Sequence, residues 1–137
     1  NFHPQHIEDL MTTAKIKPMI NQIEIHPNLN QQELVTYCQE QGIAITAYSP
    51  LGHGTLLEND VLKEIAKKHH KTVAQVILRW DVQNGITAVP KSVNQERIAS
   101  NLEVFDFDLS AEDVTKINDL NTGERVNKNP DIFVIEK

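Results

Sequence analysis

The side chains able to do chemistry gather in three short stretches: Gln22-x-Glu24-x-His26, Tyr48-Ser49-Pro50-Leu51-Gly52, and Lys91-Ser92 followed by Arg97. Lys91 offers an ammonium, Ser92 a hydroxyl and Arg97 a guanidinium. Converging beside the free N–H groups of a helix start, they would hold a phosphate. Neither GxGxxG nor GxxxxGK[ST] occurs, so side chains rather than a glycine-rich loop would do the holding. The competing reading is solvated surface charge. Tyr48 offers a rigid aromatic face that could stack on a flat ring, or simply pack at a rim. Gln22 and Glu24 stand among Ile20, Ile23 and Ile25, so burial would demand partners for them. The carboxamide of Gln22 can pair with another carboxamide; a structural bond to a neighbouring strand serves equally.

The remaining reactive residue types point away from a metal or nucleophile centre. There is no HExxH and no cysteine pair, and the six histidines do not form a metal set by spacing. His69 and His70 are adjacent and are expected at the surface, and His26 before Pro27 is expected to end a strand. Cys38 shares a helical stripe with Leu34 and Val35, and Trp80 completes another, so both read as core. Lys67, Lys68 and Lys71 read as a solvated helix end.

The elements that must position these residues follow from periodicity and punctuation. Ile7, Leu10, Met11 and Ala14 form one helical stripe, with Pro4 in a tolerant first turn. Met19 to Ile25 reads as a strand. Asn30 and Glu33 are expected to cap a helix over Gln31 to Gln41, ended by Gly42. Ile43 to Ala47 reads as a second strand. Leu62, Ile65 and Ala66 begin another helix, and Thr72 with Gln75 caps the next, which Gly85 closes. Ile86 to Val89 is the third strand, and Gln95 to Asn101 reads as a helix. Ser110 with Asp113 opens the last, carrying Val114, Ile117 and Leu120. The tail from Thr122 has no period. Strand alternating with helix is the grammar of parallel βα units, α/β in class. The strands lack strict polar alternation, which predicts burial on both faces. The polar stretches all fall at strand carboxyl ends, the face where parallel sheets bind ligands.

Length and composition set the outer limits. A chain of 137 residues, 39% hydrophobic and 23% charged, reads as a single unit over 1–137 with a core of its own. Its formal charge of −6 argues against a general nucleic-acid or anionic-membrane binder. One cysteine excludes an internal disulfide and suits a reducing, cytoplasmic setting. No apolar run suits a membrane helix, and Asn1-Phe2-His3-Pro4 is no signal peptide. The start lacks a Met, which suggests a processed, truncated or partial chain. Three strands are also few for an independent parallel sheet.

Asn21-Gln22-Ile23-Glu24-Ile25-His26-Pro27, Ala47-Tyr48-Ser49-Pro50-Leu51-Gly52 and Val89-Pro90-Lys91-Ser92 occur in order. With Arg97-Ile98-x-x-Asn101 and Val104-Phe105-Asp106-Phe107-Asp108-Leu109, the chain resembles the aldo-keto reductase family along its length. Its tail, with Arg125 and Asn129-Pro130-Asp131, is similar to short-tailed bacterial members of the diketogluconate reductase group. The resemblance implies the carboxyl-terminal half of a (β/α)8 barrel: strands six to eight with covering helices, and a last helix outside the barrel. It implies NADP(H) as cofactor. Asn1 and Gln22 would hold the nicotinamide carboxamide and Tyr48 would stack on the ring. Ser49, Leu51 and the Gly52 loop would line the pyrophosphate. Lys91, Ser92 and Arg97 would grip the adenosine 2′-phosphate, and Asn101 would reach the adenine. Ser100 departs from the family, where a Glu often receives the adenine amino group. The tail after Asn121 would wall the substrate pocket. The family's catalytic Asp, Tyr, Lys and His all fall before this chain begins, so no catalytic residue carries over, and Tyr37 is no substitute. The expected activity is NADPH-dependent reduction of a small-molecule aldehyde or ketone in the cytoplasm. The missing amino-terminal half would be the chain's partner, and the chain alone is expected to be inactive. The alternative is a non-catalytic half-barrel that binds nucleotide or protein.

Overall fold

A computed structural model describes residues 1–132. Its elements are α1 (Pro4–Met11), β1 (Ile20–Glu24), α2 (Gln32–Glu40), β2 (Ala44–Tyr48), α3 (Asp60–His69), α4 (Val73–Gln83), β3 (Ile86–Ala88), α5 (Gln95–Ser100) and α6 (Ala111–Asn118). A 3₁₀ segment, Gly52–Glu58, follows β2, and another, Pro130–Ile132, closes the described chain. The three strands run parallel in the order β1-β2-β3. In register, Gln22 lies beside Thr46 and Thr46 beside Thr87, while Glu24 lies beside Tyr48.

The caps explain where most helices begin. Thr72 and Gln75 form the expected reciprocal box at α4, and Ser110 and Asp113 form the same box at α6. Pro4 stands at the first turn of α1. At α2 the expectation needs correction. Gln31, in the left-handed region at φ 46°, precedes the helix without a side-chain cap, and Asn30 Oδ1 accepts the Gln32 N–H at 3.4 Å instead. Gly42 (φ +65°) and Gly85 (φ +72°) end their helices in the left-handed conformation that glycine takes without strain. The helix over 95–101 is a residue shorter than expected, with Asn101 as its cap.

The core lies between the sheet's outer face and the helices. Ile23, Ile45, Ala47 and Ile86 meet Leu34, Val35 and Cys38 of α2, Ile65 of α3, and Ile77 and Trp80 of α4. Trp80 and Cys38 are buried as expected, and Trp80 Nε1–H donates to Asn118 Oδ1 at 2.9 Å, seating α6. The strands do alternate, contrary to the expectation of burial on both faces. Asn21 and Ile23 are buried while Ile20 and Gln22 are exposed, and Ala44 is exposed while Ile45 and Ala47 are buried. One sheet face therefore carries helices, and the other is open among the described residues. That open face reads as apolar in part, with Ile20 62% exposed, which is why the sequence pattern resembled two-sided burial.

Lys67 and Lys68 at the end of α3 are exposed, as expected, while Lys71 just beyond the helix is half-buried, and two of the three are paired. Lys68 Nζ lies 2.9 Å from Asp113 Oδ1, and Lys71 Nζ lies 2.7 Å from Asp106 Oδ2 and 5.3 Å from the Phe107 ring centre. His69 is half-buried rather than at the surface, and its Nε2 meets Asp113 Oδ2 at 2.8 Å. No helix among the described residues is long and apolar enough to cross a membrane.

Candidate functional site

The carboxyl ends of the strands collect the polar residues on one side of the molecule, as parallel topology requires. Asn21 sits on the helix side of β1 and ties the chain start beside the sheet. Its Nδ2 donates to Phe2 O at 2.7 Å, and its Oδ1 accepts the Phe2 N–H at 3.2 Å. This places Asn1 so that its Oδ1 accepts the Tyr48 hydroxyl at 2.8 Å. Gln22 and Tyr48 belong to the alternating row that includes Thr46, on the open face. Asn1 and Gln22 line one cavity of about 430 Å³, with Phe2, Ile20 and Ile43. Asn1 and Tyr48 line another of about 480 Å³, with Phe2, His6, Asn127, Lys128 and Pro130. Burial and the nearby Glu24 charge raise the Tyr48 phenol above its ordinary value, so the ring stays neutral.

The loop after β2 turns sharply. Ser49 (φ 51°), Gly52 (φ 54°), His53 (φ 54°) and Gly54 (φ 90°) all take left-handed backbone. At Gly52 a Cβ would stand 3.0 Å from Leu56 Cδ1 and 3.1 Å from Thr55 Oγ1, so a larger residue there would meet both backbone strain and close contacts. Leu51 packs against the core. Ser49 Oγ meets His53 Nε2 at 3.2 Å and accepts the Asn127 amide at 3.2 Å.

The third group runs from the end of β3 into α5. Ser92 and Asn101 line a groove of about 600 Å³ beside β3, with Leu78, Ile98, Leu102 and Phe105. Lys91 and Arg97 are exposed and stand outside that lining. The helix-start donors expected beside them are partly taken, since Asn94 Oδ1 accepts the Arg97 N–H at 3.0 Å. Ser92 Oγ likewise accepts the Asn94 N–H at 3.1 Å, shaping the turn into α5.

What sequence reasoning missed lies in the tail, which carries no period to reveal it. Residues 122–131 return across the strand ends. The Thr122 and Gly123 N–H groups both donate to Asn28 O at 3.0 Å. Val126 N–H donates to Glu24 Oε1 at 2.7 Å, and Arg125 Nη1 stands 3.7 Å from Glu24 Oε2. Glu24 and His26 are both buried, with His26 Nε2 at 3.0 Å from Glu24 Oε1. Burial alone would push the Glu24 carboxyl up. The bonds from Val126, His26 and Asn127 outweigh it and hold Glu24 below the ordinary carboxylate value. Burial lowers His26, against the pull of Glu24, so His26 sits neutral beside an ionised partner.

Three potential ligand atoms also meet where spacing alone showed no metal set. His3, His6 and Asp131 bring theirs within 4.8 Å of one another. His3 Nδ1 lies 3.0 Å, and His6 Nε2 3.9 Å, from Asp131 Oδ1. The His6 Nδ1 atom already accepts the His3 N–H at 3.0 Å. A neutral ring in that tautomer carries its hydrogen on Nε2, the atom facing Asp131, and so presents a donor there instead of a metal-binding lone pair. The cluster anchors the tail to α1.

The Aldo/keto reductase family model matches residues 1–122. The chain is 56% identical over 131 residues to glyoxal reductase of Bacillus subtilis, covering 96% of this chain and 48% of that protein. It is 48% identical over 136 residues to 9,11-endoperoxide prostaglandin H2 reductase of Trypanosoma cruzi, covering 97% of this chain and 48% of that protein. Among solved structures, an aldo-keto reductase from a Medee basin deep-sea metagenome library superposes with a TM-score of 0.94 at 40% identity, over 98% of this chain and 51% of its own. A variant of Gox0644 in complex with NADPH superposes equally, with a TM-score of 0.94 at 38% identity, over 98% of this chain and 50% of its own. The chain spans about half the length of the curated relatives it matches.

Proposed function

The chain belongs to the aldo/keto reductase family, and from that premise we propose that it is the cofactor-binding, carboxyl-terminal half of an NADPH-dependent enzyme that reduces aldehydes or ketones. The observation carrying this reading is the grouping of Tyr48, Asn1 and Gln22 around the open sheet face, with Ser49 beginning the adjoining loop. A neutral phenol ring with carboxamides beside it suits a nicotinamide, whose own carboxamide needs a donor and an acceptor. The bound cofactor would supply the hydride. The chain's residues would hold it. Tyr48 would support the ring, Asn1 and Gln22 would orient it, and Ser49, Leu51 and the Gly52 turn would border the pyrophosphate. The exposed Lys91 and Arg97, with Ser92, would take the 2′-phosphate, and Asn101 would approach the adenine. The proton donor to the developing alkoxide would come from the amino-terminal half, the partner that completes residues 1–137 as one barrel. A cytoplasmic site of action belongs to the same proposal and is supported by the lone, buried Cys38.

The test is to express the chain together with an amino-terminal half of the family and to follow NADPH absorbance with glyoxal and other small carbonyls. Consumption of NADPH that tracks carbonyl is expected. An assembly that binds NADPH yet reduces no carbonyl would favour a non-catalytic nucleotide-binding half-barrel and overturn the enzymatic reading.

A further inference from the structure

We propose that Glu24 is a positioning residue: its buried carboxylate grips the returning tail at Arg125 and Val126, and so sets where Asn127, Lys128 and Pro130 stand in the cavity facing Tyr48. The inference rests on reading that cavity as the place where a carbonyl substrate meets the cofactor. Glu24 ends β1 and is wholly buried. A charge in such a place persists only when partners compensate its lost hydration. Two of those partners come from a segment far along the chain. Val126 N–H donates to Oε1 at 2.7 Å across 102 positions of sequence, and the Arg125 guanidinium stands 3.7 Å from Oε2. Arg125 Nη2 also donates to Gln31 Oε1 at 3.4 Å, and Gln31 Nε2 donates back to the Glu24 carbonyl at 2.5 Å. The loop of contacts closes on itself, which fixes the guanidinium in place as well as attracting it. His26 fills the other side of Oε1 at 3.0 Å.

The rest of the tail is tied mainly at its ends, to Asn28 O near Thr122 and beside His3 at Asp131. Its middle lines the cavity of about 480 Å³, and that middle hangs on Glu24 and on the bond from Asn127 to Ser49. A strap held at its ends alone could shift sideways by the width of an atom. A shift of that size loosens the wall against which a carbonyl would bind, and so weakens its binding. Glu24 therefore acts on the reaction through the tail, without touching substrate or cofactor.

The experiment uses the chain assembled with an amino-terminal half of the family, and the variants Arg125→Ala, Glu24→Gln and Glu24→Ala. Arg125 is on the tail side, so its removal leaves the strand-to-strand hydrogen bonds of the sheet in place, with Val126 and His26 still bonded to Glu24. In Arg125→Ala, amide exchange in the peptide spanning 122–132 should quicken while β1 and β2 keep their protection. KM for the carbonyl should rise roughly three- to ten-fold, the scale of one ordinary hydrogen bond such as that from Arg125 Nη2 to Gln31 Oε1, with kcat held within about two-fold. Glu24→Gln still accepts from Val126 N–H and should lie between wild type and Glu24→Ala, a partial rescue that a loss of bulk stability would not mimic. A loosened tail with unchanged KM overturns the positioning role, as does unchanged exchange in the tail. If the wild-type protein binds NADPH and reduces no carbonyl, the functional reading falls and the positioning role falls with it. If the wild type turns over and the variants match it, only the positioning role falls.

Discussion

Arg97 and Asp81 show how differently two charged side chains can be disposed in one small fold. Arg97 is exposed on α5, its backbone held by Asn94 and its guanidinium reaching into solvent. If it grips the 2′-phosphate, Arg97→Ala in the assembled enzyme should weaken NADPH by about 10- to 150-fold, the range for losing one charged hydrogen bond of about 1.5–3 kcal/mol. NADH, which lacks that phosphate, should be nearly unaffected. Equal weakening of both cofactors, read by fluorescence titration, would show that Arg97 acts on the fold instead. Asp81 is the opposite case. It is buried in α4, neither carboxyl oxygen has a hydrogen-bond partner among the described residues, and burial raises it well above the ordinary value. The folded state therefore holds a proton that the unfolded state releases above about pH 4. With more protons bound in the folded state, stability must fall as pH rises from there towards the raised folded value. Asp81→Asn keeps the shape and removes the proton. Its unfolding free energy, measured by urea titration from pH 5 to 8, should lose that downward slope. An unchanged slope would mean that Asp81 is ionised in the fold.

At the scale of elements, the same logic runs with the opposite sign at Asp113. Its carboxylate caps α6 through Ser110 and binds Lys68 and His69 at the end of α3, locking the two helices together. Burial would raise it, but the bonds from His69, Lys68 and Ser110 hold it far below the ordinary carboxylate range. Its contribution is therefore present above about pH 4 and disappears as pH falls through the lower folded value. Asp113→Asn should cost roughly 1–3 kcal/mol at neutral pH, with little effect at acid pH where the wild type has lost the charge too. Equal melting temperatures at pH 7 would contradict this. Elements of this kind were largely legible from the residues. The boxes at Thr72 and Ser110, the glycine stops at 42 and 85 and the three strands follow from local chemistry, which a linear pattern records. The partners of Lys68, Lys71 and His69 were not legible, because ion pairs from residues 68–71 to residues 106–113 depend on packing. The tail was not legible either. Its hold on Glu24 uses one backbone N–H and one guanidinium, and neither leaves a period. Resemblance, not periodicity, supplied the roles of Asn1, Gln22 and Tyr48, and the geometry adds that Asn1 and Tyr48 touch.

For the whole molecule the deciding feature is uncovered surface. Ile20 on the open sheet face is 62% exposed, and beside the β3 edge Leu102 and Phe105 are 71% and 72% exposed around the groove of about 600 Å³. Among the described residues, β1 and β3 each present one edge without a strand partner. Exposed apolar surface next to open edges favours association with any chain that can cover both. The proposed function names that chain: the amino-terminal half of the barrel, which would seat against both edges and bury the face carrying Gln22 and Thr46. The 137-residue chain by itself should therefore self-associate in solution, bind an apolar dye, and bind NADPH weakly. It should also fail to turn over. Without a positioned acid the alkoxide must form unassisted, and general-acid help is worth about 10²–10⁴-fold. The loss is compounded because a nicotinamide held from one side does not keep hydride and carbonyl in line. The measurement is NADPH oxidation by the purified chain with a reactive aldehyde, alone and after adding the amino-terminal half, alongside sedimentation of each sample. Activity only in the mixture, accompanied by loss of dye binding and a shift to a single compact species, is the expected result. Steady turnover by a dye-silent monomer of the chain alone would mean that a catalytic acid lies within these residues, and the division of labour between the two halves would have to be abandoned.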